Sequence, residues 1–260
     1  MLTRQDLENG TCLLTRNDEH STWKIYGAEL RVPPKLLEEL RRLRGEKAAK
    51  KKKERIVIAI KLEENDKNID LQRKGRIFAF LPTRHELQFP FDLHADFEVN
   101  AERTALVDPE RGWNRWIFGK VWSTFLPFFE DCKKGMLNIA DFYGVLPNSE
   151  DLKNTAEEIK PALHIMKSKI DSVFVNYKTA QTINKCWYRP KEVVLADAEF
   201  VNLFSDLPPL NESEKPLHYA LTGIPDRSQI FLKEHAHYLN KNHVISTLKR
   251  IQGQNRLIDW

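Results

Sequence analysis

The stretch Arg55-Ile-Val-Ile-Ala-Ile-Lys-Leu62 is the strongest fold signal in the chain. Its alternation favours a β-strand, with the isoleucines and the leucine on one face and Val57 and Ala59 on the other. Because both faces are apolar, both are predicted to be covered. A second apolar run, Arg76-Ile-Phe-Ala-Phe-Leu81, predicts another buried strand that stops at Pro82.

Further elements are predicted on either side of this pair. Upstream, we expect strands over Thr11–Arg16 and Thr22–Leu30 and a helix that opens at Pro33-Pro34. Downstream, we expect in turn a loop over Thr83–Phe91, a short strand over Asp92–Val99 and a helix over Trp113–Cys132. This mixture predicts the α+β class, with a mixed sheet and packed helices.

A boundary is predicted at Pro147, where glycines and prolines interrupt the helical pattern. The predicted domains are therefore residues 1–147 and a smaller mixed α/β region, residues 148–260. The second is expected to begin with a helix from Ser149 to about Lys169, which Pro161 kinks or splits. Short strands are predicted to follow at Val173–Val175, Trp187–Tyr188 and Val193–Leu195, with a mostly helical end.

Composition narrows the class of protein. The chain has 260 residues, of which 41% are hydrophobic and 30% charged, and this excludes collagen, disulfide scaffolds and wholesale disorder. The longest uncharged apolar stretch, Val121–Phe129, is far short of the roughly 20 residues a bilayer needs, so no membrane partner is predicted. Three scattered cysteines predict a reducing, cytoplasmic location.

Positive charge is concentrated in one segment. Residues 41–55 carry nine basic and two acidic side chains, whereas the whole chain has a net charge of only +4. Lys50, Lys51, Lys52 and Lys53 are candidate contacts to phosphate or to an acidic partner. The alternative is a solvated, mobile loop. Nucleic-acid binding is weakened because no aromatic residue is interleaved to stack on bases.

Metal and cofactor sites are not predicted for this chain. Asp92, His94 and Asp96 would share one strand face, but a plain polar face is the favoured interpretation. His235 and His237 would point in different directions on a helix. Glycine-rich phosphate-binding motifs are absent from the sequence.

An ordered series of motifs adds a resemblance. It comprises Trp23-Lys-Ile-Tyr26, Ile56–Ile60, Gly75-Arg-Ile-Phe-Ala-Phe-Leu-Pro-Thr83, Phe89-Pro-Phe91, His94-Ala-Asp-Phe97, Asn100-Ala-Glu-Arg103 and Trp113-Asn114. Over residues 22–130 the series resembles the region after the nucleotide-binding domain in sacsin-type proteins of the GHKL ATPase superfamily. The segment Trp187–Val193 also resembles a part of these proteins that lies further on.

The resemblance implies a transducer-like β-α-β module over residues 55–132 and a role for one arginine. Arg103 would reach the γ-phosphate of ATP bound by an N-terminal GHKL nucleotide-binding domain, in cis or in trans. Asn100 and Glu102 would lie at that domain contact. The sequence departs from the heat-shock-ninety form of the motif, with alanine in place of serine and glutamate before the arginine. The alternative is that Arg103 caps a turn or pairs with Asp96 or Asp108.

The chain lacks the family's magnesium-binding asparagine helix and its glycine-rich lids. ATP and Mg²⁺ are thus implied only for a parent protein. The chain alone is expected not to bind ATP tightly and not to hydrolyse it. The resemblance implies a chaperone-like relay and interaction module. The alternative is a free-standing nucleic-acid or protein binding module that uses residues 41–55.

Overall fold

The computed structural model divides the chain into two compact units, Met1–Asp171 and Ser172–Trp260. It describes residues 2–6, 11–16, 19–46, 50, 52–63, 67–197, 199–201, 210–212, 215–220, 222, 224, 226–241 and 243–245. The predicted boundary at Pro147 lies within the first of these units. Residues 142–148 are buried within the first unit, so the glycine and proline there interrupt helices without separating two cores.

The first unit is built on a seven-stranded mixed sheet in the order β1-β2-β3-β4-β7-β5-β6. Its strands are β1 (Leu2–Asp6), β2 (Thr11–Arg16), β3 (Glu19–Arg31), β4 (Lys53–Lys61), β5 (Gly75–Ala79), β6 (Leu81–Leu87) and β7 (Phe91–His94). Neighbouring strands are antiparallel except β5 and β7, which are parallel. The fold is therefore α+β with a mixed sheet and packed helices, as the sequence predicts.

Helices cover the face of the sheet that carries the β4 isoleucines, which are fully buried. The helices of this unit are α1 (Pro34–Arg44), α2 (Gly112–Phe118), α3 (Trp122–Lys133), α4 (Ile139–Val145), α5 (Ser149–Lys153) and α6 (Lys160–Phe174), whose last turn contains the division between the units. Aromatic side chains join the two layers. Phe128 of α3 lies 5.3 Å from Tyr26 of β3, and Phe125 lies 5.4 Å from Phe91 of β7, between ring centroids.

The structure splits two of the predicted helices. The helix predicted over Trp113–Cys132 is α2 and α3, separated at Gly119. The helix predicted from Ser149 is α5 and α6, and Pro161 lies in the first turn of α6, where its missing amide proton costs no helical hydrogen bond. Asn148, and not Ser149, caps α5, because its side chain accepts from the amides of the second and third following residues.

The loop predicted over Thr83–Phe91 is wrong, because its first half is strand β6. Along β6 the buried positions alternate with exposed ones, as in any half-buried strand. Two of those buried positions are Thr83 and His85, which are polar. The strand therefore has the burial pattern of period two without the matching hydrophobic pattern in its sequence.

The second unit contains a four-stranded mixed sheet in the order β11-β12-β10-β13. These strands are β10 (Val193–Leu195), β11 (Leu210–Glu212), β12 (Lys215–Tyr219) and β13 (His237–Tyr238), beside a hairpin of β8 (Ala180–Gln181) and β9 (Trp187–Tyr188). It also contains the helix α7 (Asp226–His235). The strand predicted at Val173–Val175 is wrong, since α6 continues to Phe174. Residues 246–260 of the predicted helical end lie outside the described residues.

Among the described residues, no helix is both long enough and apolar enough to cross a membrane.

Candidate functional site

Arg103 lies at the tip of a short hairpin that follows β7. The hairpin closes through the bridge between Val99 and Leu106, and the Asn100 amide donates to the Ala105 carbonyl at 2.9 Å. The Arg103 amide donates to the Asn100 carbonyl, also at 2.9 Å, which forms a turn around residues 101 and 102. These contacts fix the backbone on both sides of the arginine.

The Asn100 side chain stabilises this turn from within. Its Oδ1 accepts from the amides of Thr104 at 2.9 Å and Ala105 at 3.2 Å. Arg103 has φ of 59°, in the left-handed region that a non-glycine residue occupies at a cost of about 1–2 kcal/mol. The hydrogen bonds of Asn100 offset that cost, which explains locally why an asparagine stands three residues before the arginine.

Two side chains from α2 hold the base of the hairpin. Asn114 is 1% exposed; its Oδ1 accepts from the Glu98 amide at 2.8 Å. Its Nδ2 donates to the carbonyls of Glu98 and Val107 at 2.9 and 2.7 Å. Trp113 donates from Nε1 to the Asp96 carbonyl at 2.6 Å and is buried. The Trp113-Asn114 pair therefore ties the start of a helix to both limbs of the hairpin.

β6 holds the outer limb of the hairpin. The Arg84 amide donates to the Thr104 carbonyl at 2.8 Å, and the Leu106 amide donates to His85 Nε2 at 3.0 Å. Because Nε2 accepts, a neutral His85 ring carries its proton on Nδ1. That nitrogen lies 3.0 Å from a carboxylate oxygen of Glu158, just before α6.

Burial is the main reason that the pKa of His85 is lowered, and nearby Glu158 opposes that shift. The hydrogen bond from Arg84 Nη2, at 2.6 Å, is the main reason that the pKa of the Glu158 carboxyl is lowered. Near neutral pH the site therefore holds a neutral imidazole and an ionised carboxylate. His85 Nε2 accepts from the Leu106 amide, so this histidine supports the hairpin and its lone pair is already engaged.

The Arg103 guanidinium is exposed and makes no hydrogen bond or ion pair with a described residue. It pairs with neither Asp96 nor Asp108, which was one form of the alternative role. The other form, capping a turn, is consistent with the bond from the Arg103 amide to the Asn100 carbonyl. Glu102 is also exposed, and Asn100 is half-buried because its side chain faces the turn. The hairpin thus presents one free guanidinium on a backbone that surrounding hydrogen bonds hold in place.

The other predicted contact residues lie on the connection from α1 to β4 and at the first position of β4. Lys50, Lys52 and Lys53 are exposed, and Lys53 pairs with Glu29 of β3. Lys51 and residues 47–49 lie outside the described residues.

The structure does not bring the candidate metal ligands together. Both oxygens of Asp92 accept from Arg73 Nη2, at 2.8 and 2.7 Å, and one also accepts from the Arg76 amide. His94 lies edge-on to the ring of Phe80. In the second unit, the His235 ring packs against Phe231, and His237 Nε2 lies 3.0 Å from the carbonyl oxygen of Lys191.

No protein-family model, curated protein or solved structure matches this chain.

Sequence reasoning missed His85 as a support of the hairpin. It lay in a predicted loop, and the partner that explains it, the Leu106 amide, is 21 residues further along the chain. The position of Asn114 directly after a tryptophan at the start of a helix was the only signal for its role.

Proposed function

We propose that this chain is a relay and interaction module of a GHKL-type ATPase and that Arg103 contacts the γ-phosphate held by the nucleotide-binding domain. The observation that carries the proposal is the exposed, unpaired Arg103 on a hairpin fixed by Asn100, Asn114 and His85. An unpaired guanidinium is available for a ligand, and a fixed backbone limits the entropy lost when it engages one.

The chemistry suits an arginine. Charge on the equatorial oxygens of a transferring phosphoryl group is stabilised by a planar, always-ionised guanidinium that can donate two parallel hydrogen bonds. The effect is largest when the donor is positioned before the reaction begins. The hydrogen bonds around residues 98–107 support that requirement, because they restrict the backbone that bears Arg103.

The direct test is Arg103→Ala in the parent protein, with the nucleotide-binding domain present. Hydrolysis should fall by about 10- to 1000-fold, the scale for loss of one transition-state charge contact, while nucleotide affinity changes little. Arg103→Lys should recover little activity, because an ammonium group cannot reproduce the planar fork. Arg76→Ala is the matched control, since Arg76 is also an exposed arginine of this unit and pairs with Glu86. Hydrolysis at the parental rate by Arg103→Ala would refute the role.

The isolated chain should neither bind nor hydrolyse ATP. Calorimetry with MgATP and an assay for phosphate release measure both properties. Micromolar affinity or steady turnover by this chain alone would show that it carries a nucleotide site of its own, and the relay proposal would then be wrong.

A further inference from the structure

The hairpin between β5 and β6 exposes an aromatic ring at a strained position. Phe80 has φ of 64°, which is unfavourable for any residue with a side chain, and 72% of the residue is exposed. The next residue, Leu81, is 58% exposed. A large apolar side chain in a costly conformation, on the surface, gains nothing for the core, and such positions concentrate at functional sites.

Phe80 borders a groove that also contains the start of β4. The groove has a cavity volume of about 250 Å³, and its lining includes His94 and the cationic side chains of Lys53 and Arg55. The His94 ring is perpendicular to that of Phe80, with 6.0 Å between centroids, and Phe80 stays largely exposed beside it. Ring and cations therefore open onto the same space.

Three carboxylates line this groove, those of Glu29, Glu54 and Asp96, and Asp96 is half-buried. Glu29 pairs with Lys53. Glu54 is 2% exposed and accepts from the Asp96 amide at 3.0 Å. Because Lys53 is paired, Arg55 is the cation of this lining that stays available for a ligand.

Arg55 is exposed and forms no ion pair with a described residue. Its guanidinium lies over Gly27 of β3, where a Cβ atom would approach Arg55 Nε to 3.3 Å. Arg31, the β3 neighbour across from Lys53, is also exposed. Lys50 and Lys52, just before β4, are exposed as well and extend the positive surface beyond the groove.

We propose that this groove binds single-stranded nucleic acid, with a base stacked on Phe80 and phosphates contacted by Arg55, Lys50 and Lys52. Stacking on an aromatic platform beside a positively charged track is the common mode of recognition for single strands. A duplex keeps its bases stacked on each other and could use only the cations. The proposal rests on residues separate from the Arg103 hairpin, so its failure would leave the proposed ATPase role unaffected.

The test is fluorescence anisotropy of the full 260-residue chain with a labelled oligothymidylate of about 20 nucleotides, which exceeds the usual site of about 4–16 nucleotides. Phe80→Gly should weaken binding by at least about fivefold, as expected from loss of one stacked base. Glycine accepts the φ of this position, so the variant should fold as stably as the original chain. Phe80→Trp should retain binding, because it keeps a stacking surface.

Arg55→Ala should weaken binding and lower the slope of log affinity against log salt by about one phosphate contact, measured between about 50 and 200 mM salt. Tyr177→Ala is the matched control for an exposed aromatic, since Tyr177 is 50% exposed in the second unit, and its binding should be unchanged. Equal affinity of Phe80→Gly and the original chain would overturn the proposal. So would an absence of binding at 50 mM salt, tighter binding to duplex than to single strand, or binding to anionic lipid vesicles alone.

Discussion

Asn114→Ala tests whether the hairpin that bears Arg103 depends on one buried amide. The substitution removes three hydrogen bonds, at 2.8, 2.9 and 2.7 Å, from a residue that is 1% exposed. The Glu98 carbonyl keeps the Val107 amide as a donor, so the main losses fall on the Glu98 amide and the Val107 carbonyl.

Each buried polar group left without its partner costs about 1–3 kcal/mol. Val107 is 38% exposed and Glu98 is half-buried, so water can partly replace the amide. We therefore expect a loss of about 2–3 kcal/mol in the free energy of unfolding of the first unit. Amide hydrogen exchange at Arg103 and Leu106 should accelerate by about tenfold or more, since the base of the hairpin opens more readily.

Urea unfolding followed by tryptophan fluorescence, together with hydrogen exchange, measures both effects. Asn154→Ala is the matched control, because Asn154 is exposed and its side chain makes one long contact, 3.3 Å to the Glu150 carbonyl; it should change stability by less than about 0.5 kcal/mol. Asn114→Asp should be at least as damaging as alanine at neutral pH, because it would place a carboxylate against two carbonyls. A loss below about 0.5 kcal/mol for Asn114→Ala, or native stability for Asn114→Asp, would refute this account of the hairpin.

Three further predictions concern stability. Gly75→Ala should prevent folding or cost more than about 4 kcal/mol, because its Cβ would lie 1.7 Å from the Phe91 carbonyl oxygen. Gly135→Ala, where the space is open but φ is 74°, should cost only about 1–2 kcal/mol, and thermal melts of both variants measure the difference. Asp141 is buried, and burial raises its pKa from 3.8 to about 6, so its contribution to stability is present at acidic pH and is lost as pH rises from about 4 through about 6. Asp141→Asn should remove that loss and be about 1–3 kcal/mol more stable than the original chain at pH 7. Equal pH profiles of the two proteins in urea titrations would contradict this. Replacement of Lys50–Lys53 by serine should leave the melting temperature nearly unchanged, since its described lysines are exposed and a surface ion pair contributes only about 0–1 kcal/mol; a drop of several degrees would show that the segment packs on the fold.

Local pattern predicted much of the architecture. β4 follows from alternating β-branched residues, and α1 follows from a proline pair before regularly spaced leucines. Both are governed by interactions within one element, which a sequence displays directly. β6 and the split between α2 and α3 could not be predicted in the same way. The buried positions Thr83 and His85 are polar and hydrogen-bond to the backbone of Ile77 and Leu106, so the hydrophobic alternation that marks a strand is absent from β6.

The sequence by itself determined the α+β class, the apolar strands at the centre of the sheet, the concentration of positive charge in residues 41–55 and the choice of Arg103 as a candidate. Only the tertiary structure decided that the Arg103 guanidinium is free. Asn114 of α2 and His85 of β6 hold the hairpin at Glu98 and Leu106, and those partners lie on separate elements. The tertiary structure also placed Phe80, from the turn between β5 and β6, and Arg55, from β4, on the lining of one groove. The physical reason is the same in both cases: a sheet brings together residues that are far apart in the chain, and the sequence order does not encode which neighbours they meet.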